Sequence, residues 1–499
     1  MHSDRSVATA SGSPQHRTVS ARPALHRLSA LLALIATVGL AATDDASAQY
    51  ALRGPSASIG PRGPTIMAPI GPRFDPGYRY NRGGPYSIQS SDGPPPVSSA
   101  NPLAQNSQSS GPRARRARNL PSANERRFVP NEVVIEVDGS PSQQQVNALA
   151  RRHRLTRMES QSFGITGTTL FRWRIPDRRS VTTVLRELEN DASIRSVQPN
   201  YVYTLQQNAR AAGSEGDVAQ YALVKLKLPQ AHGVATGEHV LIAVVDSGID
   251  VSHPELQGAI ADTFDALGTD EPPHPHGTAI AGIIAAHARL MGAAPAVRIL
   301  AVRAFGAKSK GAQGTTFNIL KGLDWAIAHG ARIVNMSFAG PPDPMLERSL
   351  ANLKRKGTIL VAAVGNAGAK SPPLYPAADP NVIAVTATDI EDKLFAAANR
   401  GRYVAVAAPG VDILVPTPGG GYQMSSGTSF AAAYVSGIAA LLLERRPKLL
   451  PDVARRVLVS TAKDLGPKGR DDEFGAGLVN AFGAVMSFEP KTADTAPPQ

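Results

Sequence analysis

Four side chains scattered along this chain, Asp246, His276, Asn366 and Ser429, are of the types that together attack a carbonyl carbon. A serine hydroxyl is a weak nucleophile and needs a base within hydrogen-bond reach. An imidazole supplies the base, and a buried carboxylate fixes its tautomer and stabilises the imidazolium that forms. A side-chain amide or a free backbone N–H then holds the oxyanion. Ser429 follows Gly427 and Thr428 and leads into Phe430 to Leu443, an uncharged stretch that predicts a helix apolar all round and therefore buried. Gly427 offers backbone freedom that a side chain forbids, and Thr428 suits a cap. Ser429 stands in the first turn, where free N–H groups and the positive end of the dipole face whatever it attacks. The same tripeptide is equally a plain loop-to-helix start in which Ser or Thr does no more than cap. The decision rests on the elements that carry the other three residues.

Continuous apolar runs recur at Val240 to Val245, Arg298 to Val302, Arg332 to Met336, Thr358 to Val364, Val382 to Val385 and Tyr403 to Ala407. Such runs predict strands of a parallel sheet covered on both faces. Thr316 to His329 and Met345 to Lys356 read as helices between them, giving a doubly wound, mostly parallel α/β fold. Ligands bind such a sheet beyond the carboxyl ends of its strands. Asp246 ends the first run, Asn366 follows the fourth, and His276 opens the apolar helical stretch Ala279 to Ala286. Three distant segments therefore converge on the start of the serine helix.

Ahead of this domain the chain changes character several times. Leu28 to Ala42 is apolar, follows a polar segment with scattered arginines, and precedes Ala46-Ser47-Ala48, a signal-peptide layout over 1–48 that predicts export. Residues 49–127 hold 13 Pro, 9 Gly and 11 Arg against three acidic residues, which predicts a disordered linker. From Phe128 a β-α-β-β-α-β order emerges, with strands near Val133 to Val137, Leu155 to Phe163, Thr169 to Ile175 and Ile194 to Val202. Helices follow Ser142 and Val181, and the whole predicts a small α+β, ferredoxin-like domain over 128–205. Residues 206–220 read as a cleavable linker, 221–486 as the large domain and 487–499 as a disordered tail.

Composition narrows the chemistry. The chain has no cysteine, so disulfide frameworks and thiolate chemistry are excluded. Its net charge of +12 is concentrated in the linker, while the region from Gln206 onward carries 27 basic and 26 acidic residues. A near-neutral main domain argues against nucleic acid as a partner and, with no long apolar span after the leader, against a membrane in the mature form.

The motifs VLIAVVDSGIDVSHPEL at Val240 to Leu256, His276 to Ala286, IVNMSFAG at Ile333 to Gly340, VAAVGNAG at Val361 to Gly368, and Gly427 to Gly437 resemble the subtilisin-like serine peptidases, over roughly Tyr221 to Ala484. The resemblance implies Ser429 as nucleophile, His276 as base and then acid, Asp246 as orienter and Asn366 as oxyanion donor beside the Ser429 amide. It implies that Ser337, Phe338, Ala339 and Gly340 form one wall of the S1 pocket and pair with substrate, with Lys308 to Ala312 near the opposing edge. It also implies that 128–205 is an inhibitory propeptide, an intramolecular partner cut off somewhere within Thr204 to Ala219, and that substrates are proteins or peptides. Leu374 falls at the base of S1 and predicts a shallow pocket for small or modest apolar side chains. Ala433 replaces a usual proline in the serine helix and predicts a looser start to that helix. Ala288 to Gly292 replaces the longer loop with which many relatives bind calcium, so no metal or other cofactor is expected at that loop. A subtilase-fold protein that only binds, and a narrow processing peptidase or transpeptidase, stand as alternatives to a general secreted or periplasmic endopeptidase.

Overall fold

The computed structural model describes residues 119–206, 208–209, 220–307 and 311–488, all within one compact unit, Asn106–Gln499. The expected signal peptide, most of the expected linker and nearly all of the expected tail lie outside the described residues. The last residues of that linker are ordered where they are described: Asn119 is buried and donates to the Ser196 hydroxyl at 2.8 Å.

The small domain has the predicted order. Strands Phe128–Asp138, Thr156–Phe163, Thr168–Arg174 and Ser196–Leu205 alternate with helices Gln143–His153 and Val181–Leu188. Ser142 and Gln145 form the expected reciprocal capping box. Along the sheet the strands run Ser196–Leu205, Phe128–Asp138, Thr168–Arg174, Thr156–Phe163, all antiparallel. Alternation sorts the side chains: Val133 and Ile135 turn to the domain's own helices, while Val134 and Leu170 join a core of the large domain. One face of this sheet is thus completed by the neighbour it lies on. Arg348 to Glu136 at 2.7 Å, Lys321 to Glu159 at 2.8 Å and the Ile165 N–H to Asp324 at 2.9 Å fasten the contact.

The large domain is built on seven parallel strands. They are ordered Val404–Pro409, Ile383–Thr388, Ile359–Ala363, Ile333–Met336, Leu241–Asp246, Arg298–Arg303, Ile260–Asp265. Ile242 and Val244 face the core that holds the serine helix Thr428–Arg445, and Ala243 and Val245 face the core on the other side. This two-sided burial is why the strands read as unbroken apolar runs. Sequence-order neighbours leave Leu241–Asp246 on both sides, so its carboxyl end is a switch point, and Asp246 stands there.

Among the elements that the sequence pattern does not show are an edge strand and a hairpin. The edge strand Ile260–Asp265 is half exposed and polar, so it lacks the apolar run. The hairpin Ile413–Thr417 and Gly421–Ser426 lies outside the main sheet and leads directly into the serine helix.

Candidate active site

Asp246 is fully buried, and its Oδ1 accepts from the Ser247 N–H at 2.7 Å, the Ser247 hydroxyl at 3.0 Å and His276 Nδ1 at 2.7 Å. With Nδ1–H on the carboxylate, neutral His276 presents Nε2 as an acceptor, and Nε2 is buried without a hydrogen-bond partner. The helix Pro275–Ala285 holds the ring in place. His274 caps it by accepting the His276 N–H at 3.2 Å, and burial lowers the His274 pKa, which suits an accepting nitrogen. A Cβ on Gly277 would lie 2.5 Å from the Ser247 carbonyl oxygen, so a glycine after His276 is what lets this helix start rest on the aspartate loop.

Ser429 lies in the first turn of the serine helix, in which Thr428 to Leu443 are all buried. Two local expectations need correcting. Gly427 has φ 165°, an extended conformation open to any residue, so special backbone freedom is not what its position uses. Thr428 does not cap. The cap position belongs to Gly427, which has no side chain with which to accept from the first turn. The Thr428 hydroxyl instead donates to Asn366 Oδ1 at 2.8 Å, and the Thr428 N–H reaches the same oxygen at 3.1 Å. A backbone N–H only donates, so Oδ1 must face it and Nδ2 must face away. Nδ2 is buried and without a partner. A lone donor therefore stands beside the serine, which is what an oxyanion needs.

Behind the serine, Ser436 donates to Asn335, Asn335 to the Ser337 hydroxyl at 2.9 Å, and Ser337 to the Ser429 carbonyl at 3.2 Å. This buried chain ties the helix start to the central strand, and against it Ala433 sits fully buried in an unbroken helix. The looseness expected from the missing proline is opposed by bonds from outside the helix.

The structure also places the chain's own segment across the site. Thr204 and Leu205 pair antiparallel with Ala339 and Phe338, and Val202 to Thr204 pair with Gln313–Thr315 on the opposite edge. Of the edge expected at Lys308 to Ala312, 308–310 lie outside the described residues; the pairing described begins at Gln313. The Gln206 N–H donates to the Ser337 carbonyl at 3.3 Å. The Gln206 carbonyl accepts a short hydrogen bond from the Ser429 hydroxyl, whose alternative acceptor is the Ser337 carbonyl at 3.2 Å. A hydroxyl has one proton, and here it is turned to these carbonyls, so it makes no bond to His276 Nε2. Beyond the serine, Asn208–Ala209 pair antiparallel with Ser426 and Ser425. Gln206, Asn208 and Ala209 lie in a polar, small-residue stretch that reads as linker, and nothing local reveals their pairing with segments more than a hundred residues away.

Leu374 lines the cleft of about 730 Å³ around Gln206, together with Ala339, Asn366 and Ala367. The side chain found there is a glutamine rather than a small apolar group. Its Oε1 accepts the Asn366 N–H at 2.8 Å and its Nε2 folds back on the Thr204 carbonyl at 3.0 Å, so its polar end is satisfied. Gly340 pairs with Tyr375 in both directions, at 2.8 and 3.1 Å, completing the wall.

The shortened loop does not fit calcium. Glu255, fully buried, spends its carboxylate on the N–H groups of Ala288, Arg289 and Leu290 at 2.9 to 3.0 Å and on the Tyr422 hydroxyl at 2.7 Å. Gln220 is taken up by both backbone groups of Met291 at 2.9 Å. Hydrogen-bond donors already take up these oxygens.

The sequence pattern of the subtilase family matches residues 237–477. A thermophilic serine proteinase from Bacillus sp. (strain AK1) is 31% identical over 367 residues, 72% of this chain and 88% of that protein. Thermitase from Thermoactinomyces vulgaris is 35% identical over 54% of this chain and 96% of its own length. The crystal structure of fervidolysin from Fervidobacterium pennivorans superposes with a TM-score of 0.62 at 24% identity, over 74% of this chain and 63% of that one, which bears on the fold alone. Sequence and fold thus agree, and this chain belongs to the subtilase family as a subtilisin-like serine endopeptidase.

Proposed function

We propose that this chain is an exported zymogen that cuts itself between Gln206 and Gln207 and then hydrolyses protein or peptide substrates through an acyl-enzyme on Ser429. One observation carries the reading: the Gln206 carbonyl lies against Ser429 Oγ in a strand paired on both sides of the scissile position. The export step rests on the 1–48 layout, and no helix among the described residues is long and apolar enough to cross a membrane.

When the Ser429 hydroxyl rotates to Nε2, its oxygen adds to the Gln206 carbonyl carbon and its proton passes to His276, with Asp246 stabilising the imidazolium. Asn366 Nδ2–H and the Ser429 N–H hold the oxyanion. The bond to the Gln207 nitrogen breaks as His276 returns the proton to it, and a water deprotonated by the same ring releases Gln206 as an acid. Residues 128–205 stay in the cleft as an inhibitory domain. On this reading the cut falls at the start of the cleavable linker expected over 206–220, of which 206, 208–209 and 220 are described.

The test compares the wild type with Ser429→Ala. The wild type should acquire a new N-terminus at Gln207 and react with a fluorophosphonate, and the variant should remain intact and unlabelled. Identical processing and labelling of both chains would end the reading. Capture of the acyl group by an added amine in preference to water would mark the transpeptidase alternative.

A further inference from the structure

Tyr203, three residues before Gln206, is fully buried, and its ring meets Phe338 edge-on at 5.7 Å. A Cβ on Gly340 would lie 2.3 Å from its ring, so the absence of a side chain there makes the space. Up to this point the pocket is an apolar slot that any aromatic ring fills. Its floor is different. Asp343, fully buried, directs Oδ2 at the Tyr203 hydroxyl at 3.0 Å and at the Thr316 hydroxyl at 2.6 Å. Its Oδ1 accepts the Met345 and Leu346 N–H groups at 3.0 Å, as the cap of the helix Pro344–Arg355, and the Gln198 amide at 2.7 Å.

Five neutral donors thus serve one buried carboxylate, and two of them, Tyr203 and Gln198, belong to the N-terminal domain. When that domain leaves, Asp343 keeps its cap and Thr316 but loses both. Gln198 lies too far up the strand for a short substrate to replace it. The tyrosine hydroxyl is within reach of any peptide bound in the same register. We propose that Asp343 is a specificity-determining residue, selecting substrates with tyrosine, over phenylalanine, four residues on the amino side of the scissile bond (P4). Phenylalanine fills the slot equally well but leaves Oδ2 short of a donor after expelling the water that would have served it. A site built to accept a hydroxyl proton discriminates against the analogue that lacks it far more strongly than one that only measures shape.

The inference rests on the peptidase reading above, and its test separates the two. Processed wild-type enzyme is given the p-nitroanilides of Tyr-Thr-Leu-Gln and Phe-Thr-Leu-Gln, both N-acetylated. The tyrosine peptide should be cleaved with a kcat/KM about 10- to 100-fold higher. In Asp343→Asn, which keeps a capping oxygen but loses the charge, the ratio should fall at least fivefold. A wild-type ratio within twofold of one overturns the inference, as does an unchanged ratio in a variant that titrates fully with a fluorophosphonate. If Asp343→Asn does not fold, Tyr203→Phe in the full chain replaces it. Its N-terminal domain should be released at least fivefold faster after processing, and an unchanged release rate overturns the inference. Failure of the wild type to cleave either peptide or to label condemns the peptidase reading instead.

Discussion

At the scale of single residues, the orientation of one amide would set the strength of the proposed oxyanion site. Thr428 supplies two donors to Asn366 Oδ1, and this leaves Nδ2 free. In subtilisin, a relative, loss of the corresponding asparagine lowers kcat about 10²–10³-fold, and Asn366→Leu should do the same here. Thr428→Val keeps the backbone donor and removes the hydroxyl, so the amide remains in place but less firmly held. We expect kcat to fall roughly 10-fold with KM nearly unchanged, because the lost bond acts on the transition state through Asn366. A rise in KM at constant kcat would contradict that role. Asp246, His276, Asn366 and Ser429 stood out in the sequence as candidates because each lies at or just beyond the end or start of an element that an apolar run identifies. Thr428 was legible as a polar residue but not in its role, since the partner of its hydroxyl lies 62 residues away. Asp343 gave no signal at all beyond its place as a helix cap.

At the scale of elements, the same logic explains which parts of the fold could be foreseen. Six central strands declare themselves by burial on both faces, whereas Ile260–Asp265 and the hairpin ending at Ser426 are defined by pairing rather than by pattern. Glu255 joins three segments that serve the site: the loop after Asp246, the exit of the histidine helix at Ala288 to Leu290, and Tyr422 in the hairpin before Ser429. Burial alone would raise the Glu255 pKa, but the Tyr422 hydroxyl and the three N–H groups outweigh it and hold the carboxyl below its ordinary value. A folded-state pKa depressed in this way contributes stability that is complete above the unfolded value and is lost as pH falls through the folded one. Glu255→Gln should therefore cost about 3 kcal/mol at neutral pH, where the Ala288 N–H loses its acceptor to an NH2 and the Arg289 and Leu290 N–H groups keep only a neutral one, and progressively less in acid. Denaturation of the inactive Ser429→Ala chain, with and without Glu255→Gln, from pH 7 down to pH 3 measures this. A deficit that stays constant over that range, or that calcium restores, would count against a carboxylate clasp.

At the scale of the whole molecule, the proposed inhibition would act through the same surface that closes the N-terminal sheet. The N-terminal sheet covers its inner face with the large domain and sends its last strand into the cleft, so the proposed cut after Gln206 would remove a covalent tie but none of these contacts. The domain would then leave at a rate set by the interface away from the site. Glu136 is buried there, with 2% of its surface exposed, and accepts from Arg348 at 2.7 Å and from Thr168 at 3.1 Å. Removing Arg348 strips the carboxylate of its cation from the large domain, and a buried charge left short of its partner weakens the complex more than the pair ever strengthened it. Arg348 is partly open to solvent, which moderates the loss. In Arg348→Ala, latent activity after self-cleavage should appear about 10-fold sooner, and added salt should shorten the lag of the wild type more than that of the variant. The processed variant should cleave short peptides with the wild-type kcat/KM, since Arg348 meets Glu136 and Ser196, not the strand from Thr204 to Gln206. An unchanged lag would mean that the cleft strand alone holds the N-terminal domain, and that the sheet contact serves folding and not latency.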